Sequence, residues 1–336
     1  MKAAIMDAPQ QMRVGEWKTP EPADGEVLVR IRAAGICAGD LYIYGGKNPY
    51  ANYPRIAGHE LCGTVEAVGA NVSGVQKGDL VVVEPFIGCG KCYACRVGKT
   101  NCCSNLGLIG TNLPGGYAEF VAAPACNIHP VPQGLSPLFA SFAEPLAIGV
   151  QACRRAAVQP GEYVLVLGCG PIGLALIEVA KARGARVVAT DISEPRLEFA
   201  HSLGAETIKS SELLKTVLQQ TNGESAAVVI EATGNPEVMQ QTVELVASGG
   251  RIVIVGLVKR GVNISIPGLD ITRKEMTLLG SRASVNCFPE ALALLASGEI
   301  QYPKVATRLR MWDAPAVFEK LVKDPTSMHK GVLMID

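Results

Sequence analysis

Cys89, Cys92 and Cys95 recur at every third position, and Cys103 follows after seven intervening residues. Gly88, Gly90 and Gly98 share this loop, so its backbone can bend enough for the thiolates to face one ion. Three sulfurs at this spacing wrap a tetrahedral metal, and a fourth closes the shell with no open position, the donor set of a structural zinc. Cys102 is the alternative to Cys103 as fourth ligand, and an iron–sulfur cluster or plain reduced thiols are the alternatives to zinc. A second set is scattered: Cys37 in Gly35-Ile36-Cys37-Ala38-Gly39-Asp40, His59 and Glu60 after Gly58, and Glu144 before Pro145. Thiolate, imidazole and carboxylate are all zinc donors, yet a lone Cys is usually a small buried hydrophobe, and Glu-Pro often opens a helix. The chain has only four histidines, so one held between Gly58 and Glu60 stands out.

Gly168-Cys169-Gly170-Pro171-Ile172-Gly173 carries glycines at the G-x-G-x-x-G spacing. Gly168 permits a tight turn, Gly170 lets backbone approach a pyrophosphate, and Gly173 lets a helix pack on a strand. The flanking residues supply both elements: residues 163–167 form an apolar strand, and residues 174–183 run at helical period up to Gly184. With Pro171 and Ile172 the turn opens a helix N-terminus, whose free N–H groups and partial positive charge suit phosphates. A second strand, residues 186–190, ends on Asp191, eighteen residues past Gly173. Its carboxylate can accept from a ribose diol and repels a 2′-phosphate, so NAD is expected over NADP.

These groups need two scaffolds, and at 336 residues the chain is long for one core. The first part reads as short strands between Pro/Gly turns, at 2–6, 11–17, 27–34, 61–68, 79–83, 116–122 and near Asn127. That pattern predicts an all-β region with little helix, a partly open barrel. Helix is predicted at 138–143 and from Pro145 to about Val158. From Gly161 strand and helix alternate, with 236–247 as a helix, 251–256 as a strand and 277–280 as the last strand. Such alternation predicts a parallel doubly wound sheet. The tail, 284–336, reads as helices at 289–297 and 313–323 and a strand at 331–335. Lys+Arg and Asp+Glu balance at 31 each, which argues against nucleic acid or an anionic membrane as a partner. No run approaches a membrane span, and residues 1–9 lack the apolar core of a signal peptide. A cytoplasmic protein with eleven reduced cysteines is therefore expected.

In this order, Gly58-His59-Glu60-x-x-Gly63, the four-cysteine loop and the Gly168–Gly173 turn with Asp191 resemble the zinc-dependent medium-chain alcohol and polyol dehydrogenases, over essentially the whole chain. The resemblance implies an α/β protein with a GroES-like β-barrel catalytic domain over 1–146, to which 284–336 returns, and a Rossmann NAD-binding domain over 147–283. It also implies two zinc ions per chain. The catalytic one is held by Cys37, His59 and a carboxylate from Glu144 or Glu60; for the structural one, family spacing favours Cys103 over Cys102. Glu144-Pro145-Leu146 resembles the sorbitol, threonine and sugar-acid dehydrogenases, where ethanol-type enzymes carry Cys. Asn48-Pro49-Tyr50, Tyr53-Pro54-Arg55, Thr100-Asn101-Cys102-Cys103 and Gly280-Ser281-Arg282 extend the likeness to bacterial hexonate 5-dehydrogenases of the L-galactonate or L-gulonate type. The implied cofactor contacts are Arg196 beside the adenosine, and Gly256, Leu257, Ser281 and Arg282 towards the nicotinamide.

The reaction implied is oxidation of a secondary alcohol of a polyol or sugar acid, with zinc acting on the oxygen and hydride passing to NAD. Relatives carry Ser or Thr two residues after the zinc Cys, and often His five after, to move the proton. This chain has Gly39 and Tyr42 there, so the proton must leave through Tyr42, Tyr44, Glu60, a substrate hydroxyl or water. A homodimer or homotetramer is the expected assembly. Two alternatives are a threonine- or simple-alcohol-type zinc dehydrogenase, and a zinc- and NAD-binding protein without turnover. Gly39 and Tyr42 are the only features that favour the last.

Overall fold

Val27, Val29, Ile31, Ala33 and Ala34 are buried along the strand Glu26–Gly35, while Arg30 and Arg32 face solvent. This is a computed structural model, and it describes every residue except Pro49, Tyr50, Thr326 and Asp336. Two residues of the Asn48-Pro49-Tyr50 resemblance thus lie outside the described residues. The strand lies inside a seven-stranded sheet in the order Ile128–Pro130, Leu80–Val83, Glu60–Val68, Glu26–Gly35, Lys330–Met334, Ala306–Arg310, with Phe120–Pro124 also paired to Glu26–Gly35. Its pairings are antiparallel, except that Ala306–Arg310 runs parallel to Lys330–Met334. In a second sheet, Lys2–Ala8 sits between Gln11–Glu16 and Arg55–Ile56. Ile5, Val29, Ile56, Leu61, Tyr117 and Phe318 belong to the core that these sheets share.

The second half of the chain forms a six-stranded sheet, ordered Glu206–Lys209, Arg186–Asp191, Tyr163–Leu167, Ala226–Glu231, Val246–Ile254, Thr277–Gly280. Every pairing in it is parallel. This is the expected doubly wound order, whose direction reverses beside Tyr163–Leu167 and places a ligand crevice at the carboxyl ends of the strands there. Leu165, Val188, Val229, Val243 and Ile252 lie in its separate core. Chain contacts divide the molecule into two units, Met1–Glu144 with Phe288–Gly298 and Pro303–Asp336, and Pro145–Cys287 with Glu299–Tyr302.

Several expected boundaries move. The helix Pro236–Leu245 stops short of Ala247, because Val246 is already extended and begins the strand Val246–Ile254. Residues 116–119 are not ladder-paired as a strand, which runs instead over Phe120–Pro124. Gly116 is pressed against Leu61, where a Cβ would come within 2.4 Å of that side chain. Among the elements the sequence did not predict are the helices Ala38–Tyr44 and Gly268–Lys274, and the strand Ala306–Arg310, whose Thr307, Arg308 and Arg310 are exposed along an edge. Among the described residues, no helix is long and apolar enough to cross a membrane.

Candidate metal and nucleotide sites

Two short paired strands, Phe86–Ile87 and Gly107–Leu108, bracket the cysteine loop. Within it the sulfurs of Cys89, Cys92, Cys95 and Cys103 lie within 4.8 Å of one another. Cys92 Sγ is 3.5 Å from Cys95 Sγ and 3.8 Å from Cys103 Sγ. Four thiolates on one zinc at about 2.3 Å would stand about 3.8 Å apart, so the cluster has the size of a tetrahedral thiolate shell. Backbone N–H groups already point at the sulfurs: Cys89 N and Asn105 N each lie 3.3 Å from Cys103 Sγ. The N–H groups of Cys95 and Ser104 hold the Cys92 thiol down at about 5, whereas burial and then Cys92 itself push Cys95 up to about 11. Cys102 is exposed and stands outside the cluster.

The scattered set is drawn together by strand register. Gly35 pairs directly with Glu60, which sets Cys37, two residues past the end of one strand, beside His59 and the start of the other. Ligand atoms of Cys37, His59 and Glu60 all lie within 4.8 Å of one another. Cys37 also caps the helix Ala38–Tyr44: its Sγ accepts from Gly39 N at 3.4 Å, and Asp40 accepts from Cys37 N at 3.0 Å. This is a capping box with a thiol in place of the usual hydroxyl. Asp40 is fully buried and sits 3.4 Å from His59 Nδ1, which leaves Nε2 of the ring for a metal. Burial alone would depress the His59 pKa, but the charges of Asp40 and Cys37 overcome it and hold it well above the usual value.

Glu60 is buried against Lys330, whose Nζ stands 2.5 Å from its carboxylate and donates to Ile36 O at 3.0 Å. Glu144 opens the helix Ala143–Arg155 and is buried. Burial raises its carboxyl to about 7; His59 and Lys330 pull it down, while Glu60 pushes it up. Among the described residues the tight three-residue group holds Glu60 and not Glu144. Tyr42 is 41% exposed, and Tyr44 is committed elsewhere, donating to Gln10 O at 3.2 Å. Asp40, Tyr117 and Lys330 are site groups the sequence reading passed over. The Cys-x-x-Asp capping spacing could have flagged Asp40; nothing local flags the other two.

At the nucleotide motif, Gly168 has φ +100, and its N–H donates to Thr190 O at 2.8 Å. A Cβ on Gly173 would lie 1.8 Å from Gly168 O, so helix and turn meet only because that residue is glycine. Gly170 caps the helix Pro171–Ala182, with Pro171 and Ile172 in its first turn, and a Cβ there would meet nothing within 4 Å. Open space over a helix N-terminus fits a pyrophosphate. Asp191 accepts from Cys169 N at 2.8 Å and Ser193 N at 2.9 Å, and Arg196 Nη1 stands 3.9 Å from it. Glu231, also passed over, is fully buried at the end of its strand and accepts from Thr233 N at 2.6 Å and Gly234 N at 3.0 Å. Gly256 packs against that turn, and Leu257 is 86% exposed. Ser281 is buried, its N–H donating to Ile254 O at 2.8 Å, and Arg282 is exposed.

Comparison with known proteins agrees with both halves. Residues 23–133 match the family described as alcohol dehydrogenase GroES-like domain, and residues 171–297 match zinc-binding dehydrogenase. The chain is 37% identical to L-galactonate-5-dehydrogenase of Escherichia coli K12, over 99% of this chain and 98% of that protein. It is 36% identical to D-altritol 5-dehydrogenase of Agrobacterium fabrum, over 90% of this chain and 91% of that one. Among solved structures, the short chain alcohol dehydrogenase of Escherichia coli CFT073 complexed with NADH superposes with TM-score 0.92 at 31% identity, covering 100% of this chain and 99% of that one. With its two halves matching in this order and its relatives aligned end to end, the chain belongs to the zinc-dependent medium-chain alcohol and polyol dehydrogenases.

Proposed function

We propose that the protein oxidises a secondary hydroxyl of a polyol or sugar acid, in the manner of a hexonate 5-dehydrogenase, with NAD as acceptor. The observation that carries the catalytic half is the grouping of Cys37, His59 and Glu60 within 4.8 Å, with buried Glu144 feeling the charges of His59 and Glu60. A thiolate, an imidazole and a carboxylate fit a zinc that keeps a position open, unlike the closed four-sulfur set at Cys89, Cys92, Cys95 and Cys103. When bound, zinc would lend Lewis acidity towards the alcohol oxygen and NAD would take the hydride. The rest falls to the chain. Asp40 stands beside Nδ1 of His59, Lys330 holds the Glu60 carboxylate, and the ligand carboxylate is Glu60 or Glu144. Gly39 offers no hydroxyl, so we assign the outward step of the proton to exposed Tyr42.

On the nucleotide half, Asp191 at the end of its strand supports NAD over NADP, because a carboxylate accepts from a ribose diol and repels a 2′-phosphate. The likeness to L-galactonate-5-dehydrogenase and D-altritol 5-dehydrogenase supports oxidation at a sugar chain's secondary carbon. Eleven free cysteines support a reducing, cytoplasmic setting. The test is NADH formation across hexonates, polyols, threonine and short alcohols, with and without a zinc chelator, for wild type and for Cys37→Ala and His59→Ala. We expect chelator-sensitive turnover fastest on a hexonate or polyol, and none in either variant. Fastest turnover of threonine or a short alcohol would move the enzyme to that branch. Saturating NADH binding with no turnover on any substrate would favour a non-catalytic protein.

A further inference from the structure

We infer that Tyr117 is a positioning residue for the candidate catalytic metal site: its hydroxyl turns the Asp40 carboxylate so that one oxygen faces His59. The inference rests on Cys37 and His59 being metal ligands, as proposed above. Tyr117 is fully buried, and its Oη lies 2.6 Å from Asp40 Oδ2 and 3.0 Å from Gly35 O. A phenol has one proton to give, and a carboxylate is the stronger acceptor at the shorter distance. Cys37 N donates to the same Oδ2 at 3.0 Å. With Oδ2 anchored twice, Oδ1 is the oxygen turned to His59 Nδ1 at 3.4 Å and Gly58 N at 3.4 Å.

The ring itself has little freedom. Tyr117 N donates to Ala57 O at 3.0 Å, and Tyr117 O accepts from Ala4 N at 2.8 Å. Phe318 meets the ring edge-on, with centroids 5.7 Å apart. On another side the ring covers Gly58, where a Cβ would come within 2.6 Å of it. Gly58, whose φ of +94 already favours glycine, also leaves room for this ring: a side chain there would push it, and with it the hydroxyl, off Asp40. Without that bond, Asp40 keeps its backbone donors but can rotate, and the carboxylate oxygen beside His59 Nδ1 loses its fixed orientation.

The test is zinc binding by Tyr117→Phe, measured by competition with a chromophoric chelator, together with the absorption spectrum of the cobalt-substituted protein. Outer partners of metal ligands typically contribute 10–100-fold in affinity, and we expect about tenfold for this more distant one. The weakening should fall on one of two zinc ions, the four-cysteine ion being unaffected, and the cobalt bands should shift. Wild type with two zinc ions and Tyr117→Phe with both affinities and the cobalt spectrum unchanged would overturn the inference alone, whatever happens to the thermal midpoint. Wild type binding a single zinc would overturn the metal-site reading and this inference with it. If Tyr117→Phe does not fold, 3-fluorotyrosine at position 117 keeps the ring and its hydroxyl and makes the hydroxyl a stronger donor at the cost of one added fluorine. A changed second-zinc affinity then supports the inference, and an unchanged one overturns it.

Discussion

Asp191 shows how one side chain can serve two ends. Its carboxylate is the group expected to read the ribose, yet it also accepts from Cys169 N and Ser193 N and so braces the glycine turn. Asp191→Ala should therefore weaken NAD binding as well as relax the preference for it over NADP. Loss of hydrogen bonds to a charged acceptor costs about 1.5–3 kcal/mol, so NAD affinity should fall roughly tenfold to a hundredfold. Titration of NADH and NADPH against wild type and variant measures both effects; a wild type that already prefers NADPH would defeat the reading of this carboxylate. Tyr42 offers a separate check. If it carries the proton outward, Tyr42→Phe should lower kcat at least tenfold while zinc content and NADH affinity hold. An unaltered kcat would hand that role to water or a substrate hydroxyl.

At the scale of elements, the cysteine lobe is a small loop with Tyr93 and Val97 exposed, held at its neck by Phe86–Ile87 and Gly107–Leu108. Its order should depend on metal, as in other small metal-clasped folds. Cys92→Ala should lose one zinc by elemental analysis and lower the thermal midpoint, by roughly 2–4 °C for each kcal/mol lost. A variant with full zinc content and an unchanged midpoint would remove the lobe's structural role. The same elements show what was legible beforehand. The strand–turn–helix–strand over 163–191 was readable to within about three residues, because buried parallel strands are apolar runs and its glycines fall at fixed offsets. The helix Ala38–Tyr44 was not. It begins on a cysteine cap, carries Gly39 early, and continues through tyrosines and isoleucine, all weak helix signals. Ala306–Arg310 was hidden by its arginines, which an edge strand tolerates. Cys37, His59 and Glu60 were legible as donor types, whereas the tie from Lys330 to Glu60 spans 270 residues and leaves no local trace.

Over the whole molecule, the two units have separate apolar cores. Separate cores open separately when each is held by its own ligand. Hydrogen exchange should show this directly. Adding NADH should protect amides over 163–191, and a zinc chelator should expose those around 35–60 and 86–108 while leaving 163–191 unchanged. Loss of protection across all of these segments together on chelation would mean that the units unfold as one. Lys330 adds a matter of timing. Its ammonium and the Glu60 carboxylate are both almost fully buried and joined at 2.5 Å, yet the ribosome makes the lysine 270 residues after the glutamate. At about 5–20 residues per second, that is a wait of roughly 15–50 seconds. Throughout it, the nascent site presents Cys37, His59 and an uncompensated carboxylate. An ion taken up in that interval would meet Glu60 without its lysine, and arrival of the last strand would then pair that carboxylate.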